Sequence, residues 1–136
     1  MTATLGLEDC VCFAGPRTNP YAWMARAFAL VLSSRCEGFG SVLAEAMACG
    51  TNVVTTDCRS GPREILEGGR WGRLVPVGDV LALVRAIRDA LLDPLPRADL
   101  IRAAERFSVA RSAALWRDLI LEAAQDDGRL QKSGEG

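Results

Sequence analysis

Uninterrupted apolar runs alternate along this chain with stretches whose apolar residues recur at helical spacing. Residues 28–33 (FALVLS) form one such run, of the kind that makes a strand buried on both faces of a parallel sheet. A turn containing Gly38 and Gly40 follows, and an Ala/Leu/Met-rich stretch then places Leu43, Ala46, Met47 and Gly50 on one helical face. Gly50 ends that pattern, and the β-branched run 52–56 (NVVTT) reads as a second strand. Strand, helix, strand in this order predicts one β-α-β crossover, because parallel neighbours need a long connection.

The flanking segments extend the same alternation. Residues 5–15 read as a helix end or loop and then a short strand at 10–14, with Gly15-Pro16 as the break. Residues 19–27 suit a short amphipathic helix with Asn19 as cap and Pro20 first, in which Tyr21, Trp23 and Met24 are packing groups. After the second strand, Pro62 suits the first turn of a helix, and Glu64 near that end favours the helix dipole. Gly68, Gly69, Trp71 and Gly72 form a turn into a strand at 73–77, and Gly78-Asp79 leads to a cover helix at 80–92. There Leu81, Val84, Ile87, Arg88 and Leu91 recur at helical intervals and Arg85 and Asp89 pair at i, i+4, before Asp93-Pro94 stops the helix. Helices at about 97–107 and 109–125 complete the pattern, the latter with the stripe Leu115, Trp116, Leu119 and Ile120, and the polar residues 126–136 read as a disordered tail. The fold class is α/β, a Rossmann-like parallel sheet with flanking helices.

Composition narrows the chemistry. At 136 residues and 49% apolar the chain is one domain's worth, and its net charge of -1 gives no electrostatic footprint for nucleic acid. There is no histidine, so no histidine base acts within this chain. Five cysteines, at 10, 12, 36, 49 and 58, lack C-x-x-C spacing, which argues against zinc and for free, buried thiols in a reducing cytoplasm. The first ten residues do not read as a signal peptide and no run reaches the length of a membrane span, so an intracellular chain is expected.

The turn between the first strand and its helix holds the candidate chemistry. Glu37 stands at the carboxyl end of the strand, Gly38 and Gly40 leave the backbone bare around Phe39, and Ser41 lies at or next to the helix cap. Ligands of open parallel sheets bind outside these strand ends, and exposed amides at a helix start attract anions, so a phosphorylated ligand fits. Glu45 is the only charged residue between Glu37 and Asp57, one turn into the helix on the side of Ser41, where it would reach sugar hydroxyls. On spacing alone a solvated carboxylate remains the commoner role for either glutamate. Arg35 is open between phosphate neutralisation and plain solvation.

At these residues the chain resembles the group 1, or family 4, retaining glycosyltransferases of the GT-B fold. That family carries E-G-F-G-x-x-x-x-E-A-M-A-x-G-x-P-V-V; here stand Glu37-Gly38-Phe39-Gly40, Glu45-Ala46-Met47-Ala48, Gly50 and Val53-Val54. The likeness continues through T-D-x-x-S-G-P-x-E-I-L from Thr56 and G-x-L-V-P-x-G-D from Gly72, with Asn52 where the family commonly has proline. The resemblance implies that Glu37 is catalytic, near the donor sugar ring. It implies that Gly38, Phe39, Gly40, Ser41, Val42 and Leu43 face the sugar and diphosphate of a nucleotide-sugar, and that Glu45 binds the ribose. Ser60 and Gly61 would border the sugar or acceptor cleft. No metal and no cofactor beyond the donor substrate is implied.

The resemblance places residues 1–125 in the later part of a GT-B carboxyl-terminal, nucleotide-sugar-binding domain. An amino-terminal half that holds the acceptor, and an earlier unit whose Arg and Lys grip the diphosphate, are not visible in the sequence. The first reading is therefore a fragment or split subunit that transfers a hexosyl-type sugar to an acceptor hydroxyl with retention, weak or inactive by itself, with a separate amino-terminal half as a candidate partner. The alternative is a noncatalytic nucleotide-sugar-binding or partner-binding module; a sugar-nucleotide epimerase is a third. The resemblance also implies cytoplasmic placement, with peripheral contact at the inner face of a membrane as an open option.

Overall fold

The computed structural model describes residues 1–132, with side chains through residue 124. Three parallel strands, β1 (Ala29–Leu32), β2 (Asn52–Thr56) and β3 (Arg73–Val75), lie in that order, with Ala29 opposite Asn52 and Val54 opposite Arg73. Around them stand α1 (Tyr21–Met24), α2 (Ser41–Ala48), α3 (Pro62–Ile65), α4 (Val80–Leu92), α5 (Arg97–Ala104) and α6 (Val109–Lys132). The β1–α2–β2 crossover is the one that the apolar pattern predicts.

Alternation along β2 divides the core into two layers. Val53 faces α2, α3 and α5 with Leu43, Met47, Ile65, Leu66 and Leu100, while Val54 faces α4 with Val75, Ala86 and Ala90. Each large aliphatic group among them contributes roughly 1.5–3 kcal/mol by leaving water. Asn52, the departure from the family's proline, receives the Leu95 amide on Oδ1 at 2.9 Å and donates Nδ2 to the Leu95 carbonyl at 3.4 Å. It thereby ties the start of β2 to the α4–α5 connection. Helix starts carry their caps: Asn19 accepts from the Ala22 amide at 3.2 Å, and Asp79 from the Ala82 amide at 2.8 Å.

Several expectations are corrected. Residues 10–14 form no strand, because the Cys10 and Val11 amides turn back onto the Leu7 carbonyl, both at 3.0 Å, and β1 pairs only with β2 among the described residues. β1 is not buried on both faces: Phe28 and Val31 are exposed, since α4 packs mainly over β2 and β3. Tyr21 and Trp23 are also exposed, the latter beneath the Arg17 guanidinium, and of that trio only Met24 packs against the core. In α4 the sheet-facing stripe is Leu83, Ala86, Ile87 and Ala90, whereas Leu81, Val84 and Leu91 face outward. The helix has two overlapping apolar stripes, and the small alanines let it sit close on the sheet. Arg85 and Asp89 make no ion pair; arginine preceding the acid is the weaker order, and both are exposed.

The last helix runs through Lys132, past the expected end at 125. The rest of the expected tail, 133–136, lies outside the described residues. Leu115, Trp116, Leu119 and Ile120 are exposed along α6. The expected free thiols are free, but Cys10, Cys12 and Cys36 are exposed and only Cys58 is buried. No helix among the described residues is long and apolar enough to cross a membrane.

Candidate functional site

The carboxyl edge of the sheet is organised by the turn between β1 and α2. Gly40 enters the helix in the left-handed region (φ 80°, ψ 44°), which glycine adopts without steric cost, and Ser41 is the first helical residue. Leu43 donates its amide to the Gly40 carbonyl at 2.9 Å. The amides of Gly38, Phe39, Gly40, Ser41 and Val42 have no partner among the described residues. They form a run of free donors at the positive end of α2, which suits an anion.

The two carboxylates stand on different sides of that run. Glu37 is half-buried and accepts a 2.5 Å hydrogen bond from the Ser34 hydroxyl on Oε1. Glu45, one turn into α2 and half-buried, lines a groove of about 420 Å³ together with Phe39, Ser41, Ile101, Glu105 and Phe107. α5 and the turn after it supply the far wall. Leu43, expected to face the donor, offers neither a free amide nor an exposed side chain, because it is fully buried in the core. Val42 is half-buried against the same core, leaving its amide to the site.

The loop after β2 is clamped onto the turn. Ser60 donates its hydroxyl to the Glu37 carbonyl at 3.3 Å, and the buried Gly61 lies directly against the backbone of Phe39. Both take positive φ, 147° at Ser60 and 86° at Gly61. They also border a second cavity, of about 520 Å³, with Asp57, Arg59 and Arg63. Arg63 is taken up by Asp57 through a two-point contact of Nε and Nη2 with the carboxylate, and that hydrogen bond, with the charge behind it, raises the arginine pKa. Arg35 and Arg59 are exposed and make no ion pair among the described residues.

No group of three or more Cys, Asp or Glu side chains is gathered as a metal site among the described residues. Sequence reasoning did not find Ser34, which orients Glu37, although a hydroxyl three residues before a turn glutamate is a usable signal. It also missed Ile101, Glu105 and Phe107, which reach the groove only through tertiary packing.

The family described as glycosyl transferases group 1 matches residues 1–107. The N-acetylgalactosamine-N,N'-diacetylbacillosaminyl-diphospho-undecaprenol 4-alpha-N-acetylgalactosaminyltransferase of Campylobacter jejuni is 37% identical over 89 residues, which are 65% of this chain and 24% of that protein. D-inositol 3-phosphate glycosyltransferase of Streptomyces avermitilis is 34% identical over 142 residues, covering 100% of this chain and 30% of its own length. Anabaena Alr3699/HepE in complex with UDP is similar at a TM-score of 0.73 and 29% identity, over 92% of this chain and 35% of its own. The chain thus spans between 24% and 35% of the length of these three proteins. Its parallel sheet flanked by helices is that of part of a GT-B glycosyltransferase, and the chain belongs to the glycosyl transferases of group 1.

Proposed function

We propose that this chain is the donor-binding, carboxyl-terminal part of a retaining glycosyltransferase that takes a hexosyl-type sugar from a nucleoside diphosphate. The observation that carries the reading is the run of free amides from Gly38 to Val42, flanked by Glu37 and Glu45 at the carboxyl edge of the sheet. The amides and the start of α2 hold the diphosphate, whose negative charge grows as the sugar leaves. Glu37, oriented by Ser34, lies beside the anomeric carbon and stabilises the positive charge developing there. Glu45 accepts the ribose hydroxyls, and Arg35 and Arg59 lend positive charge at the rim. The Anabaena relative, described in complex with UDP, supports a nucleoside diphosphate as the anion.

The acceptor hydroxyl is held by an amino-terminal GT-B half, and the pair works at the cytoplasmic face of a membrane without a metal or a further cofactor. The relatives' greater length supports the need for that half, and the Campylobacter enzyme's undecaprenol-linked name supports the location. The alternative, a noncatalytic binding module, has the same donor site; restored transfer on mixing with an amino-terminal half separates the two.

Ligand-observed NMR against UDP-, GDP- and ADP-sugars tests the donor reading. One nucleotide class is expected to bind, and Glu45→Ala to weaken it about 10- to 100-fold, as loss of a charged hydrogen-bond acceptor does. Binding of equal strength in Glu45→Ala would remove the ribose role.

A further inference from the structure

We infer that Phe107, held by Arg106, is a positioning residue for the glycine turn; this rests on the donor reading of that turn. Phe39 sits at the tip between two glycines and is 43% exposed as a residue, so its own loop does little to fix its ring. The Phe107 ring meets it edge-on, with centroids 5.8 Å apart and planes at 73°, the favoured arrangement for two aromatic quadrupoles.

Phe107 is itself anchored. The Arg106 guanidinium lies 4.6 Å from the centroid of its ring, donates to the Ile65 carbonyl and, at 3.4 Å, to that of Glu64, and pairs with Glu67. These carbonyls belong to the last residues of α3, whose other end begins at Gly61, against the Phe39 backbone. A closed circuit results: the amino end of α3 fixes the backbone of Phe39, and its carboxyl end fixes the ring through Arg106 and Phe107. Burial lowers the Arg106 pKa, and the charge of Glu64 partly offsets this. The amides flanking Phe39 are therefore held from two sides, by Gly61 against the backbone and by Phe107, more than sixty positions later, against the ring.

The test begins on the ligand-free protein. Phe107→Leu keeps the apolar contact and removes the ring edge, whereas Phe107→Tyr keeps the ring. Backbone amide order parameters at Gly38–Ser41 are expected near the rigid value of about 0.85 in the parent and Phe107→Tyr, and below about 0.6 in Phe107→Leu. Val53–Thr55 in β2 should not change. Arg106→Met, which leaves the ring but cuts its tether, is expected to loosen the same turn amides to a lesser degree, and serves also if Phe107→Leu does not fold. Unchanged turn order parameters in a folded Phe107→Leu, or in Arg106→Met where that variant alone folds, would overturn the inference. Nucleotide-sugar titration of the parent is read separately: failure of the parent to bind refutes the donor reading, while the order parameters still decide whether Phe107 holds the turn.

Discussion

Replacing Gly61 with alanine is expected to destabilise the protein by about 2–4 kcal/mol and to displace the β1–α2 turn, the largest effect expected of a glycine-to-alanine change among the described residues. The added Cβ would overlap the Phe39 carbonyl oxygen and stand 2.5 Å from its carbonyl carbon. Neither atom is the end of a flexible side chain, so relief requires the turn or the β2–α3 loop to move. Backbone conformation adds to the clash, since φ 86° with ψ -69° lies outside the regions that L-residues favour. Gly68→Ala is the matching control: φ there is +70° but nothing lies within 4 Å of the new Cβ. It should cost only the left-handed backbone penalty of about 1 kcal/mol. Urea unfolding of both variants measures the difference. Equal losses would show that the Gly61–Phe39 contact is not a constraint.

Glu37→Gln is expected to lower the transfer rate about 10²- to 10³-fold when the chain is assayed with a complementing amino-terminal half, while donor affinity changes less than about threefold. The substitution preserves shape and the acceptor that Ser34 addresses, since the amide oxygen can take its place 2.5 Å from the hydroxyl. What it removes is the negative charge beside the anomeric carbon, which matters most when the sugar is most cationic. The loss should fall on kcat and leave donor binding nearly intact. A fall confined to donor affinity would instead make Glu37 a binding group.

These expectations rest on features unevenly legible in the sequence. The β1–α2–β2 crossover was readable because the apolar runs, the glycines and the buried face of Leu43, Ala46 and Met47 all agree locally. The gathering of Glu37, the glycines, Ser41 and Glu45 around the β1–α2 turn was readable for the same reason, since they are close in sequence. α4 was misread because its apolar residues form two overlapping stripes, and the choice of Ala86 and Ala90 over Leu81 and Val84 depends on how closely the helix approaches the sheet. Residues 10–14 have strand composition but no ladder to join. Arg106, Phe107 and Ile101 reach the turn or its groove by packing across the fold, and no short-range pattern announces such contacts. Leu43 shows a complementary limit: a motif position can be fixed by the core, with its side chain buried and its amide bonded within the turn.

The most direct measurement of the donor site is an amide-resolved NMR titration of the chain with UDP-, GDP- and ADP-sugars. The predicted result is that one nucleotide class shifts the amides of Gly38, Phe39, Gly40, Ser41 and Val42 most strongly, with smaller changes along the Glu45 groove and none in β3 or α4. Shifts centred elsewhere, as in the cavity lined by Arg17, Trp23 and Met24, or none with any of the three classes, would contradict the placement of a nucleoside-diphosphate sugar at this turn.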